Sequence, residues 1–223
     1  MPIAHVQGKA GAATPVTSFS QTFGAAVQSG NCVVGGVITS TSGPYTISDD
    51  KSNTYIVVDH ITAAFDNFIT FILGNITNGP ITITVSGSGG TTGNFDLLID
   101  EYSGVKQITN PSDGHSATDN ATVGTGAGFN SGNLTTTIAN DWIWGVGYCN
   151  IGTIPGVGAG FTSRVSENAF FGALTEDKSF ATPGTTNAAF TNNGASTADC
   201  PAAAIALQPV VAAAALGYAE SEW

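Results

Sequence analysis

The sequence predicts an all-β fold, an antiparallel β-sandwich of jelly-roll type with a C-terminal extension, on three observations. Apolar and polar residues alternate with a period of two in short runs, as in Pro80 to Ser86, where Ile81, Ile83 and Val85 interleave with Thr82, Thr84 and Ser86. Turn-forming clusters separate the runs: Ser42-Gly43-Pro44, Asn78-Gly79-Pro80, Gly87 to Gly93, Asn110-Pro111 and Asn193-Gly194. No segment before residue 201 carries a helical stripe.

In chain order the expected strands are Val16 to Phe23, Cys32 to Ile38, Tyr55 to His60, Phe65 to Leu73, Pro80 to Ser86, Phe95 to Tyr102, Thr135 to Cys149, Ala159 to Val165 and Ala202 to Leu207. They are rich in Val, Ile, Thr and aromatic residues, which fit a pleated, half-buried surface. Cys32 to Ile38 is apolar at nearly every position. Trp142 to Cys149 carries its bulk on one face and Ile143, Gly145, Gly147 and Cys149 on the other. Both are therefore predicted to be central strands. Their openings align: Gly30-Asn31-Cys32-Val33-Val34-Gly35 with Asn140-Asp141-Trp142-Ile143-Trp144-Gly145. That match predicts two related halves of one sandwich, each supplying a central strand. Residues 1–15 form an N-terminal arm or first edge strand, 16–208 the sandwich, and 209–223 an apolar arm.

The 223 residues are 42% hydrophobic but only 9% charged, and sixteen Asp and Glu against five Lys and Arg leave a formal charge of -11. Such a surface repels phosphate backbones and anionic lipid, so neither nucleic acid nor membrane is an expected partner. Three cysteines, Cys32, Cys149 and Cys200, lie in no CxxC or Cys/His spacing, which argues against a disulfide framework or zinc site. Met1 to Thr14 lacks the apolar stretch of a secretory leader. Ala202 to Gly217, broken by Gln208 and Pro209, is shorter than a membrane span. The expectation is synthesis in the cytoplasm and release with an assembled particle.

Chemistry-bearing residues give no catalytic, cofactor or metal assignment. His5, His60 and His115 sit in no HxH, HExxH or GxSxG setting and read as structural. Asp100 and Glu101 are adjacent on a strand, so they point to opposite faces and cannot pair as acid and base. Glu101, on the side of Phe95, Leu97 and Ile99, is the one candidate general acid; the competing role is a carboxylate bonded to turn N–H groups. Asp49, Asp50 and Asn53 offer oxygens for calcium or, more in keeping with their spacing, cap a hairpin. The Gly87 to Gly93 stretch lacks the ending of a phosphate loop. Trp142, Trp144 and Tyr148 share a face and are either core or, if exposed, a sugar-stacking platform.

Four stretches together carry a family resemblance: Ala26-Val27-Gln28-Ser29-Gly30-Asn31 before an apolar strand, Ile47-Ser48-Asp49-Asp50-Lys51-Ser52-Asn53-Thr54-Tyr55, Glu101-Tyr102-Ser103-Gly104-Val105, and Ala139-Asn140-Asp141 before a second apolar strand. The chain resembles a group of bacterial and bacteriophage β-sandwich proteins whose pattern runs roughly AGN, strand, SDSxGNTY, EYSG, AND, strand. The resemblance spans about residues 16 to 208. It departs from the pattern at Asp50-Lys51-Ser52 and in the tail beyond Pro209. Members of that group are surface modules or virion components without a catalytic motif. The resemblance thus implies a non-enzymatic virion structural protein, first a capsid decoration (cement) protein stabilising the particle surface. The alternative is a carbohydrate-binding or adhesion module of a tail, fibre or bacterial surface.

The implied partners are the chain itself, as a homo-oligomer such as a trimer, and a major capsid or other virion protein; no cofactor is implied. The contact is expected at the apolar C-terminal arm, through Val210, Val211, Leu216, Tyr218 and Trp223, because an apolar patch of that size marks an interaction site.

Overall fold

The computed structural model describes residues 1–63, 66–77, 79–80 and 82–210, and among these there is no helix. The first half of the chain supplies β1 (Ala4–Val16), β2 (Ser18–Thr22), β3 (Cys32–Thr39), β4 (Tyr45–Asp49), β5 (Ile56–Thr62), β6 (Asn67–Leu73), β7 (Thr82–Gly87) and β8 (Gly93–Ser103). The second half supplies β9 (Ser112–Thr118), β10 (Gly128–Asn130), β11 (Leu134–Thr136), β12 (Asp141–Cys149), β13 (Thr162–Glu167), β14 (Gly172–Phe180), β15 (Gly184–Thr186), β16 (Ala189–Thr191) and β17 (Ala202–Leu207). All the strand pairings are antiparallel.

Each half builds one five-stranded sheet, in the orders β1-β8-β3-β6-β5 and β13-β14-β12-β17-β9. The two expected central strands, β3 and β12, occupy the middle of their sheets. The sheets pack face to face over a core that joins Val34, Ile38, Phe68, Ile72 and Leu98 from one to Trp144, Val146, Tyr148, Ile205 and Leu207 from the other. Edges meet as well, β1 with β13 and β5 with β9. At the centre a Cβ on Gly36 of β3 would lie 3.0 Å from the Val146 side chain of β12. Reading the second order backwards gives β9-β17-β12-β14-β13. Within its own half, each sheet therefore runs first strand, last strand, central strand, then the second and first arms of a hairpin. Stacking β1 on β13 and β3 on β12 relates the halves by an approximate two-fold axis through the middle strands.

Both outer faces are covered. The small sheet β2-β7-β4 lies on the first, where Ile83 and Val85 pack with Val33, Val37, Phe71, Phe95 and Leu97. On the second, the two-stranded pairs β10-β16 and β11-β15 bring Phe129, Leu134 and Phe190 onto Ile143, Leu174, Ala204 and Ala206. The small outward face of β12 is what admits them: a Cβ on Gly147 would meet the Phe190 ring at 2.8 Å, and one on Gly145 would meet Ala188 at 2.4 Å. Because both sheets are buried on both faces, their central strands read as apolar runs rather than alternating ones.

Two expectations are corrected. Cys149 and Cys200 form a disulfide, Cα to Cα 4.2 Å, while Cys32 is free and buried. Register is the reason: Gly147 faces Ala202 on β12 and β17, so two residues further on the cysteines face one another. Their sequence separation of 51 hides that neighbourhood. The run Thr135 to Cys149 is not one strand; it divides into β11 and β12 around Asn140, which has φ 64°. Phe65, Asn78 and Ile81 of the expected runs lie outside the described residues.

Candidate functional site

The residues singled out for chemistry are dispersed, and each is engaged by its own surroundings. Asp49 caps a turn, though not of the expected hairpin, since β4 and β5 on either side of it lie in different sheets: Oδ1 accepts from Lys51 N and Asn53 N at 2.9 and 3.0 Å, and Oδ2 from Asn53 Nδ2 and the Tyr55 hydroxyl at 2.8 and 2.9 Å. The acidic turn is thus an Asx-type cap, tied to β7 by Asp50, whose Oδ1 accepts from Thr82 N at 3.2 Å.

Glu101 is fully buried on β8 and is a clasp. Its Oε1 accepts from Gln28 N (2.8 Å) and Asn31 Nδ2 (2.6 Å), and Oε2 accepts from Gln7 Nε2 (2.6 Å). The turn it holds contains Gly30 at φ 85°, whose N–H donates to Ile76 O. Two of the sequence signatures, Gln28 to Asn31 and Glu101 to Gly104, are therefore the two halves of one hydrogen-bonded unit. The role is the turn-binding one weighed from the sequence.

Asp100, one residue earlier, faces the other way into the core between the sheets. Its Oδ2 accepts from Trp144 Nε1 at 2.9 Å, and His5 Nε2 lies 2.9 Å from Oδ1. Beside it the Tyr102 hydroxyl donates to Asp177 Oδ2 at 2.6 Å, which also accepts from Arg164 Nε at 2.8 Å. Burial, with Asp100 and Asp177 nearby, pushes the Tyr102 phenol well above its ordinary value, so it stays a donor. This polar seam links β1, β8, β12, β13 and β14. The sequence shows its members only as scattered polar residues, since β14 is polar enough (Thr175, Glu176, Asp177) to escape a strand pattern.

The remaining histidines sit elsewhere. His60 Nε2 is 3.0 Å from Asn67 Oδ1, and His115 Nδ1 is 2.8 Å from Asp59 Oδ1, bridging β9 and β5. The structure brings no two of His5, His60 and His115 into one constellation. Among the described residues no group of three His, Cys, Asp or Glu is arranged to hold a metal. Trp144 and Tyr148 are wholly buried, so the stacked-sugar platform has no exposed face there; Trp142 is only half-buried.

Seven carboxylates are buried among the described residues: Asp66, Asp96, Asp100, Glu101, Asp141, Glu176 and Asp177. Burial pushes Asp66 up to about 6 and Asp96 up to about 7. It pushes Glu176 up to about 7 against an opposing bond from Gly158 N–H. Asp141, at the head of β12, is raised to about 7 by burial and by the adjacent Asp113. Asp113 itself is lowered, because burial is outweighed by bonds from Thr137 Oγ1, Thr137 N and Ile138 N.

One concave surface stands out. A groove of about 700 Å³ runs between the N-terminus, the Ile138–Trp142 turn and the end of the described chain, with Ile3, Ile138, Trp142, Ala181, Pro209 and Val210 among its walls. Pro209 bridges to Val105, and Val210 N donates to Gly104 O, which fixes that wall. Of the expected contact residues, Val210 is 38% exposed on the groove; Val211, Leu216, Tyr218 and Trp223 lie outside the described residues. The Trp142 indole N–H is buried with no acceptor among the described residues. No protein-family model matches the chain, and no curated protein matches it.

Proposed function

We propose that the chain is a non-enzymatic structural protein of a virion surface, a capsid decoration protein, acting as a homo-oligomer against the major capsid protein. The observation that carries this reading is the duplicated strand order. In the first half, the orders β1-β8-β3-β6 and β2-β7-β4 support the reading of an eight-stranded jelly roll whose fifth strand stays with the sixth. The second half repeats the inner order as β9-β17-β12-β14, while its outer layer is built from two separate pairs, β10-β16 and β11-β15. Jelly rolls serve capsid and lectin domains alike. Support for the structural role comes from the side chains: the residues with chemistry to offer are used as caps, clasps and an inter-sheet seam. A disulfide suits a protein that works outside a reducing cytoplasm, as a particle surface does.

A second reading, a carbohydrate-binding module, is favoured by one feature: a slot of about 340 Å³ between β4 and β5, where Tyr45 and His60 meet edge to face beside Val57. Mass spectrometry and cryo-electron imaging of particles released from the producing cells test the first reading. The expected result is the chain in many copies on the shell. Its absence from particles, with retention of a glycan by the protein that Tyr45→Ala abolishes, would establish the second instead.

A further inference from the structure

In the first half of the chain the outer sheet β2-β7-β4 is narrower than the sheet beneath it. At one side Phe19 of β2 lies against Gly11 of β1; at the other Tyr45 and Ile47 of β4 pack with Ile69 and Phe71 of β6. The inner sheet continues by one more strand, β5, and among the described residues no strand lies above it. Its outward side chains show the gap. Val57 is 47% exposed and His60 is exposed, and together with Pro44, Tyr45 and Ile69 they line the slot of about 340 Å³ at the step between the layers.

The edge of β4 beside that slot presents backbone groups. Ser88 N donates to Pro44 O and Asp50 N to Thr82 O, whereas Gly87 N of β7 turns the other way, to Thr17 O. Bonding alternates along an antiparallel ladder, so Thr46 and Ser48 bond to β7 while the N–H and C=O groups of Tyr45 and Ile47 point away from it. Among the described residues no strand pairs with that side of β4. Outward donors and acceptors above an apolar slot make a place for one added strand, its backbone on Tyr45 and Ile47 and its inward side chains over Val57. A second folded copy does not fit there. Two copies joined β4 to β4 across a two-fold axis have their inner sheets on the same side, and the β5 of each would collide with the β6 of the other. Charge narrows the choice further: β4 runs into Asp49-Asp50 on a chain of formal charge -11, which repels an acidic segment and favours a neutral or basic one. We infer that the β4 edge and its slot capture an extended segment of another protein, with apolar residues toward the slot and neutral or basic residues toward water. This goes beyond the proposed function and does not rest on the virion reading.

The probe is the peptide acetyl-Lys-Val-Thr-Val-Thr-Val-Lys-amide, titrated into the full chain and followed by amide NMR. Binding should be saturable, should move the Tyr45, Ile47 and Val57 signals, and should slow exchange of the Ile47 N–H at least about tenfold. Backbone methylation of the peptide separates strand pairing from greasy adhesion, because successive N–H groups of a strand point to opposite sides. Of two peptides, one methylated on its central valine nitrogen and one on a threonine nitrogen, one should lose at least about tenfold in affinity and the other should keep it. Val57→Glu, at an exposed site, should weaken the unmethylated peptide at least about tenfold by setting a charge under the added strand. Replacing both peptide lysines with glutamate should weaken binding too, and less so in high salt. No binding to the full chain, or binding that distinguishes neither methylated peptide, overturns the inference. Should Val57→Glu misfold, the methylated pair decides it on the unchanged chain. A glycan held in the slot in place of the peptide overturns the inference and upholds the carbohydrate reading. No particle enters the assay, so neither result touches the virion reading, which particle imaging decides separately.

Discussion

Trp144 and Asp100 are joined across the central core by an Nε1 to Oδ2 hydrogen bond of 2.9 Å, with both side chains fully buried. The bond ties the middle strand of one five-stranded sheet to the other sheet, and so holds the two halves of the chain in register. A carboxylate in that position is tolerable only while its partners are present, because an unpaired buried charge costs far more than a hydrogen bond returns.

Trp144→Phe should therefore destabilise the protein by about 2–4 kcal/mol, combining the lost donor with the smaller ring. Trp144→Phe with Asp100→Leu should recover part of that loss by removing the stranded carboxylate. Urea denaturation of the wild type and the two variants checks both statements; a Trp144→Phe chain as stable as the wild type would show that the bond contributes nothing, and a double variant no more stable than Trp144→Phe that the stranded carboxylate costs nothing.

Glu101→Ala should cost about 2–4 kcal/mol, since it strips acceptors from Gln28 N, Asn31 Nδ2 and Gln7 Nε2 at once. Glu101→Gln retains one acceptor oxygen and should lose less. Amide exchange would report the damage at Gln28 to Asn31 first, because that turn has no strand ladder to hold it.

Stability should fall as pH rises from about 4 to 8. Asp66, Asp96, Asp141 and Glu176 have folded-state values near 6 or 7, above their ordinary ones. In that interval the folded chain holds protons that the unfolded chain has released, so unfolding becomes easier with each pH step. Asp113, lowered in the fold, works in the opposite sense and at lower pH. Urea midpoints at pH 5 and pH 8 should differ in favour of pH 5, and Asp96→Asn with Glu176→Gln should flatten the trend.

Replacing Cys149 and Cys200 with serine should cost about 4 kcal/mol, the chain-entropy contribution of closing a loop across a separation of 51 residues. Native protein treated with iodoacetamide should take up no label: two cysteines are bonded, and burial raises the Cys32 thiol beyond the range where it reacts. After unfolding without reductant, mass spectrometry should find one label per chain, and three after reduction.

The amino-acid sequence by itself determined the class of this protein. Period-two runs, punctuated by Gly, Pro and Asn, admit an antiparallel β fold, and the apolar stretches at Cys32 and Trp142 announce strands buried on both faces. Their aligned openings even disclosed the two halves, because local backbone chemistry, a left-handed Gly30 or Asn140 ahead of a strand, is written residue by residue. What only the tertiary structure decided is pairing across distance. Glu101 binding the turn at Gln28 to Asn31, Asp100 meeting Trp144, and Cys149 facing Cys200 all depend on strand order and register. Strand β14 was hidden because its buried Thr175, Glu176 and Asp177 find partners on other strands and loops, and β9 because it is a half-buried edge strand of mostly small polar residues, neither of which a local pattern records. The groove beside Val210 was equally invisible, since its walls come from the chain's beginning, its middle and its end, and only packing brings the three together.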